Sequence, residues 1–224
     1  MKIVISIGGS VLAKELNPGK FRNYASAFRE IAKDHTLFIV TGGGKAAREY
    51  IGVARELGAG EAVSDDIGIE VTRLNARLLI AALGSEAYHE PPETYRAALE
   101  AGLTGKIVVM GGVVPGQTTD AVSAVLAEYI GADLLINATA TDGVYTSDPK
   151  KDTSAKKFDS MTPKQLIELV TRTEMVAGAN SPVDLLASKI IERSSIKTIV
   201  LNGEKPQDIV DAVSGKHNGT VIEG

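Results

Sequence analysis

Three short stretches hold the residues whose types and spacing could do chemistry. The first is Thr41-Gly42-Gly43-Gly44-Lys45-Ala46-Ala47-Arg48, directly after the apolar run Leu37-Phe38-Ile39-Val40. Glycines let a phosphate approach backbone N–H groups with no Cβ in the way. A helix starting behind them would add the positive end of its dipole, and Lys45 and Arg48 would sit in its first turn. The second is Gly8-Gly9-Ser10, again at the end of an apolar run, where the Ser10 hydroxyl can donate to a phosphate oxygen or cap the next segment. The third is Val113-Val114-Pro115-Gly116-Gln117-Thr118-Thr119-Asp120, a polar loop whose hydroxyls suit either helix capping or hydrogen bonding to a substrate. The first of them reads as one wall of a phosphate-transfer site.

Each motif taken singly leaves an alternative open. The triple glycine is not a P-loop, because Ala46 stands where a Ser or Thr should follow the lysine. Gly42-x-Gly44-x-x-Ala47 fits the dinucleotide pattern, but no buried strand ending in an acidic residue follows at the needed distance. A tight strand-to-helix turn without ligand is the alternative. Asp65 and Asp66, before the apolar positions Ile67, Val71, Leu74 and Leu78, read first as helix caps and second as acceptors for sugar hydroxyls. Arg73 and Arg77 on the same helix read as solvated or ion-paired. His35, His89 and His217 lie away from the glycine stretches and read as incidental.

The elements that must position these residues alternate along the chain. Strands are expected at Ile3–Ile7, Leu37–Val40, Lys106–Met110, Leu134–Ile136 and Lys197–Leu201. Phe21, Tyr24, Ala25, Phe28 and Ala32 mark an amphipathic helix crossing from the first strand to the second. Further helices are expected over Lys45–Leu57, Ala121–Tyr129 (capped by Thr119 or Asp120), Thr162–Val176 with a Thr162/Gln165 capping box, and Asp184–Glu192. Alternation of this kind predicts an α/β fold: a three-layer αβα sandwich with a largely parallel central sheet. The first two glycine turns then lie together at the carboxyl edge of the sheet, where open α/β sheets bind ligands.

Composition narrows the classes. The chain has 224 residues, 44% hydrophobic and 4% aromatic, so the core is aliphatic and offers no base-stacking surface. A net charge of −4 argues against nucleic acid as a partner. With no cysteine there is no disulfide framework and no thiolate metal site. No apolar run reaches the length of a membrane span, and no leader pattern precedes the first strand, so a cytoplasmic protein with no membrane partner is expected.

Taken in order, Ile7-Gly8-Gly9-Ser10, Thr41-Gly42-Gly43-Gly44, Thr118-Thr119-Asp120-Ala121 and Thr141-Asp142-Gly143-Val144-Tyr145-Thr146-x-Asp148-Pro149 resemble the motifs of the amino acid kinase superfamily. Asp184-Leu185-Leu186-Ala187 and Asn218-Gly219-Thr220 continue the likeness, which covers nearly the whole chain and is most similar to uridylate kinases of the archaeal type. The resemblance implies the amino acid kinase fold in one domain over residues 1–224. The N-terminal half would hold mainly the UMP site and oligomer contacts, the C-terminal half mainly the ATP site. It implies ATP with Mg2+, UMP as the phosphate acceptor, and a homohexamer. Position by position, it implies ATP contacts at Gly9, Ser10, Gly44, Arg48, Thr139, Tyr145 and Asp148. For UMP it implies Gly43, Asp65 and the loop Val113, Val114, Pro115, Gly116, Gln117, Thr118 and Thr119. Asp65 then takes a ribose hydroxyl rather than a cap.

The likeness has gaps. Bacterial uridylate kinases carry a first-strand lysine where this chain has Ser6, and Ser181-Pro182-Val183 lacks a second common lysine. The acidic residue of acetylglutamate kinases falls at Ala140. The catalytic cation is therefore expected from Arg48 or Lys45, with no dedicated metal-binding residues. An acetylglutamate-kinase-like enzyme, or a nucleotide-binding member without catalysis, is the alternative.

Overall fold

The computed structural model describes residues 1–149, 151–174 and 183–224, with Glu174 described by its main chain alone. In chain order the strands are β1 (Lys2–Ile7), β2 (Thr36–Thr41), β3 (Val108–Met110), β4 (Leu134–Thr139), β5 (Ser160–Met161), β6 (Thr198–Asn202) and β7 (Thr220–Ile222). The helices are α1 (Gly9–Leu12), α2 (Pro18–Ala32), α3 (Gly44–Glu56), α4 (Glu61–Leu83), α5 (Tyr95–Gly102), α6 (Thr119–Ile130), α7 (Pro163–Glu174), α8 (Leu185–Ser194) and α9 (Pro206–Val213). One sheet takes the order β3-β2-β1-β4-β6-β7-β5, parallel except where β6 meets β7.

Alternation along the strands produces the three layers. Ile3, Ile5, Ile7, Leu37, Ile39 and Ile136 face one side and pack on Phe21, Tyr24 and Phe28 of α2, Leu79 of α4 and Ile209 of α9. Val4, Phe38, Val40, Val108, Met110 and Leu135 face the other and pack on α6, α7 and α8. Both faces are buried, so the parallel strands read as continuous apolar runs rather than alternating ones. The expected fold class is the observed one.

The register places the loops. β1 pairs with β2 from Lys2↔Thr36 to Ile7↔Thr41 and with β4 from Ile3↔Leu134 to Ile7↔Ala138. From β1 the chain first builds toward β2 and β3, then returns to β1's other side for β4. The strand order therefore reverses at β1, and a crevice opens at the carboxyl ends there.

Several expected boundaries shift. α6 is capped by Thr118, whose side chain accepts from Ala121 N, and neither Thr119 nor Asp120 caps it. The Thr162/Gln165 capping box is present, with Thr162 N donating to Gln165 Oε1 at 2.8 Å and Gln165 N to Thr162 Oγ1 at 3.2 Å. The expected helix end at Val176 lies outside the described residues. α4 begins at Glu61 with Gly60 as its cap, so Asp65 and Asp66 sit inside the helix and the capping role is overturned. The stripe read on α4 is also corrected: Leu74 and Leu78 are 59% and 44% exposed, while Gly68, Asn75, Ala76 and Leu79 are buried. Small and polar residues let this face sit close against the glycine turns, and a hydropathy pattern cannot register that reason for burial.

Candidate active site

Gly9 and the Gly42-Gly43-Gly44 turn meet at the crevice, main chain against main chain. Gly42 N donates to Ile7 O at 3.0 Å, and Gly8 N to Ala138 O at 3.0 Å. A Cβ added at Gly9 would run into the Gly44 amide, and Gly44 itself takes φ +69°. These are the positions where only glycine lets the two turns interlock. Beneath them the buried Asn75 of α4 donates from Nδ2 to Gly42 O at 2.8 Å and Gly43 O at 3.3 Å. With both carbonyls engaged from below, the amides at the start of α3 are left for an anion.

A cleft of about 460 Å³ opens over the turns. It is lined by Gly9, Ser10, Gly43, Gly44, Arg48, Asp65, Gln117, Thr118 and Thr119, so the structure gathers most of the residues expected to hold phosphate donor and acceptor. Arg48 lines it from the first turns of α3, whereas Lys45 is exposed and pairs with Glu49 at 3.5 Å. Asp65 reaches across from α4 and accepts from Gly116 N at 2.8 Å, tying the 113–119 loop to the cleft wall. Val113 lines a neighbouring groove with Asp66 and Arg73, and the tip of the loop, Val114–Gly116, is exposed. None of the three histidines lines the cleft.

Thr139, Tyr145 and Asp148 are not in the lining of this cleft. Thr139 ends β4, next to β1, and its carbonyl accepts from Gly203 N at 2.9 Å. Tyr145 donates to Asp142 Oδ1 at 2.6 Å, and that bond to a carboxylate holds its phenol above the usual range. The carbonyl of Asp148 accepts from Lys151 N and Asp152 N at 3.0 and 2.9 Å, closing the turn that carries it. A second cavity, about 520 Å³, lies at the end of β6. Asp142, Glu204, Asp208 and Asp211 line it against Lys205 and Lys216, and that excess of carboxylates does not suit a polyphosphate.

Ser6, the residue at the missing-lysine position, is buried and donates to Asp120 Oδ1 at 3.3 Å. Asp120 is a partly buried residue whose carboxyl is enclosed by protein. Burial, then the charge of Asp184, push its pKa up to about 7, while hydrogen bonds from Ser6 and Asn137 pull it back. Among the described residues no lysine or arginine offsets that burial. Asp184 caps α8, accepting from Ala187 N at 2.9 Å, and also accepts from the Thr118 hydroxyl, so α6 and α8 share one carboxylate.

Sequence reading missed Asn75, Thr72 and the enclosure of Asp120. Asn75 had a signal: a lone amide on a helix face otherwise built of small and apolar residues. Thr72 had none: its hydroxyl donates within its own helix to Ile69 O at 2.6 Å, and only the fold brings Gly112 N to within 2.6 Å of it as a donor.

Comparison with known proteins agrees with this architecture. The amino acid kinase family profile matches residues 1–202. A uridylate kinase of Methanococcoides burtonii is 61% identical over 213 residues, covering 95% of this chain and 91% of its own. The crystal structure of a uridylate kinase from Archaeoglobus fulgidus superposes with TM-score 0.92 at 52% identity, over 99% of this chain and 100% of that one. A UMP kinase structure from Bacillus anthracis superposes with TM-score 0.83 at 25% identity, over 99% and 95%.

Proposed function

The chain belongs to the amino acid kinase family, and on that premise we propose that it is a uridylate kinase, converting ATP and UMP to ADP and UDP. The observation that carries this reading is likeness to uridylate kinases over nearly the full chain, the glycine turns and the 113–119 loop included. The cleft supplies chemistry to match.

The nucleophile is a phosphate oxygen of UMP, whose second pKa is about 6, so it is largely ionised at neutral pH and needs no general base. The task is to hold two anions together and spread the charge of the transferred group. In this reading Gly9, Ser10, Gly44 and Arg48 hold ATP phosphates, and Thr139, Tyr145 and Asp148 hold its adenosine. Gly43, Asp65 and the 113–119 loop hold UMP, with Asp65 Oδ1 free for the ribose while Oδ2 keeps Gly116. Arg48 is the cation at the transfer point, because it lines the cleft and Lys45 does not. Magnesium, carried by the ATP phosphates, supplies further neutralising charge. Among the described residues no group of three or more His, Asp or Glu side chains gathers to hold a metal without the nucleotide.

The N-terminal half of this single domain then serves UMP and the C-terminal half serves ATP. Exposed Tyr50 and Val53 on α3, Leu57 just past its end, and Leu74 and Leu78 on α4 support assembly of copies through those helices, in the homohexamer the family resemblance implies. Among the described residues no helix is long and apolar enough to cross a membrane, in keeping with a cytoplasmic enzyme.

A coupled ADP-release assay tests the function. Turnover is expected with UMP, and little with CMP or acetylglutamate. Equal turnover of CMP, or faster turnover of acetylglutamate, overturns the substrate assignment. Nucleotide binding without ADP release overturns catalysis itself.

A further inference from the structure

Resting on the uridylate kinase reading, we propose that Tyr95 and Gln117 choose the pyrimidine. Tyr95 fixes the Gln117 amide so that its NH2 group meets the O4 carbonyl of uracil and opposes the N4 amino group of cytosine.

A nucleotide lies along the cleft in a forced order. Its phosphate sits at the glycine amides and Arg48, its ribose at Asp65, and its base beyond them. Gln117 follows Gly116, whose N–H is bonded to Asp65, so Gln117 is the next side chain after the ribose position. Four polar side chains in the cleft wall could read a base: Thr72, Gln117, Thr118 and Thr119. The Thr118 hydroxyl is committed, accepting from Ala121 N and donating to Asp184. The Thr72 hydroxyl is committed likewise, between Gly112 N and Ile69 O. Thr119 Oγ1 lies against Gly42, 3.2 Å from where a Cβ would stand, and so belongs to the phosphate end. Gln117 remains. The threonine hydroxyls, which the motif alone would favour for the uracil edge, are occupied or misplaced.

A free glutamine does not discriminate, because its amide can turn to show either a donor or an acceptor. Here Tyr95 donates to Gln117 Oε1 at 2.6 Å. Burial pushes the Tyr95 phenol up to about 12, so it stays protonated at neutral pH and has a hydrogen to donate in that bond. Tyr95 is itself anchored at the start of α5, behind the Thr94 cap, and its ring lies 6.3 Å from that of Tyr129. With Oε1 occupied, the two Nε2 hydrogens are what Gln117 can offer to a base. Uracil presents a carbonyl oxygen there and cytosine an amino group, so CMP would set donor against donor and leave both unpaired in the cleft.

The test is kcat/KM for UMP and CMP at saturating ATP, with melting temperature as a folding check, for wild type, Tyr95→Phe, Gln117→Glu and Gln117→Ala. Tyr95→Phe frees the amide to turn, and the UMP/CMP ratio should fall roughly 10-fold, the scale of one neutral hydrogen bond. Gln117→Glu leaves only acceptors, so the ratio should fall further and turnover of CMP should rise in absolute terms. Gln117→Ala should cost UMP while sparing CMP. Gln117 is partly exposed on a loop, so its two variants keep the test open if Tyr95→Phe folds poorly. Loss of both substrates in equal proportion, at an unmoved ratio, means a structural role only and overturns the proposal while leaving the kinase reading intact. Absence of ADP release by wild type with either nucleotide overturns both.

Discussion

The turns after β1 and β2 and the turn after β4 flank the same crevice, yet they are built in opposite ways. At the glycine turns the main chain packs on the main chain: Gly44 Cα and N stand where a Gly9 side chain would go, and Asn75 grips two carbonyls from below. At the 139–149 turn side-chain bonds are added to the main-chain ones on a more open loop, Tyr145 to Asp142 and Ser147 to Asp152 at 2.6 Å each. In the proposed reading the first region binds phosphate through backbone amides whose direction is set by conformation, so it tolerates no change of shape. The second can lose one contact and keep the rest. Substitutions should therefore act all-or-none on one side and in graded steps on the other.

The largest effect is expected from Gly9→Ala. Its methyl group displaces the Gly44 turn and so more than one amide, and kcat should fall by at least about 10³, above the scale for a single oxyanion donor. A loss under about tenfold with an unchanged melting temperature would break the contrast. Arg48→Ala should lower kcat by about 10²–10³ at saturating substrates, with Arg48→Lys recovering only part because an ammonium lacks the bidentate fork. Lys45→Ala should stay near wild type, since that ammonium is exposed and turned to Glu49. Steady-state kinetics in which Lys45→Ala loses the rate and Arg48→Ala keeps it would exchange the two roles.

Asp65→Asn sharpens the same comparison at the ribose. A charge-assisted bond contributes about 1.5–3 kcal/mol, so UMP should bind at least about tenfold more weakly with ATP affinity unchanged. The melting temperature should move little, because an asparagine oxygen can still accept from Gly116 N. Equal weakening of both nucleotides would show that Asp65 shapes the loop rather than binding the sugar.

Asp120 lies between the two regions, touching Ser6 of β1 and facing Asn137 of β4. Its native pKa of about 7 lies above the usual 3.8, so the folded state binds the extra proton. Stability from this group is present in full below pH 4 and is lost as pH rises through 7, by at most about 4 kcal/mol. Asp120→Asn should remove that slope, and melting curves between pH 4 and 8 will show it. A wild-type melting temperature that climbs over this range as steeply as the variant's would remove the enclosed carboxyl from the account. The smallest effect is expected from Tyr145→Phe, a few-fold rise in KM for ATP on the scale of one exposed hydrogen bond, about 0.5–1.5 kcal/mol. A loss as large as that of Gly9→Ala would erase the distinction between the two sides.

Much of the fold was legible because burial on both faces makes a parallel strand a continuous apolar run. β1 and β2 fall within a residue of those runs, and β4 starts where its run does and continues three residues past it. The short β5, α5 and α9 were not, since two strand residues or eight helical ones carry too little periodicity. α4 was found, and Val71 is buried as read, but Leu74 and Leu78 of the same stripe are exposed. Its inner face combines Gly68, Asn75 and Ala76, which allow close approach, with the buried Leu79 and Leu83, while Leu74 and Leu78 stand on its outer face.

Residue order by itself determined the class of chemistry. Glycines at strand ends followed by helix formers place amides at an anion, and that needs only local geometry. It also determined the family, because four motifs in one order survive without any knowledge of contact. Tertiary structure alone decided which hydroxyls were free. Thr118 and Thr119 are neighbours of the same type, yet one is held between Ala121 and Asp184 and the other stands at Gly42. It decided equally that Arg48 and Lys45, three residues apart on one helix, part company at the cleft. A hydrogen bond or an ion pair depends on what the rest of the chain brings within about 3 Å, and that is a property of the packed sheet and its helices, not of the order of residues along a strand.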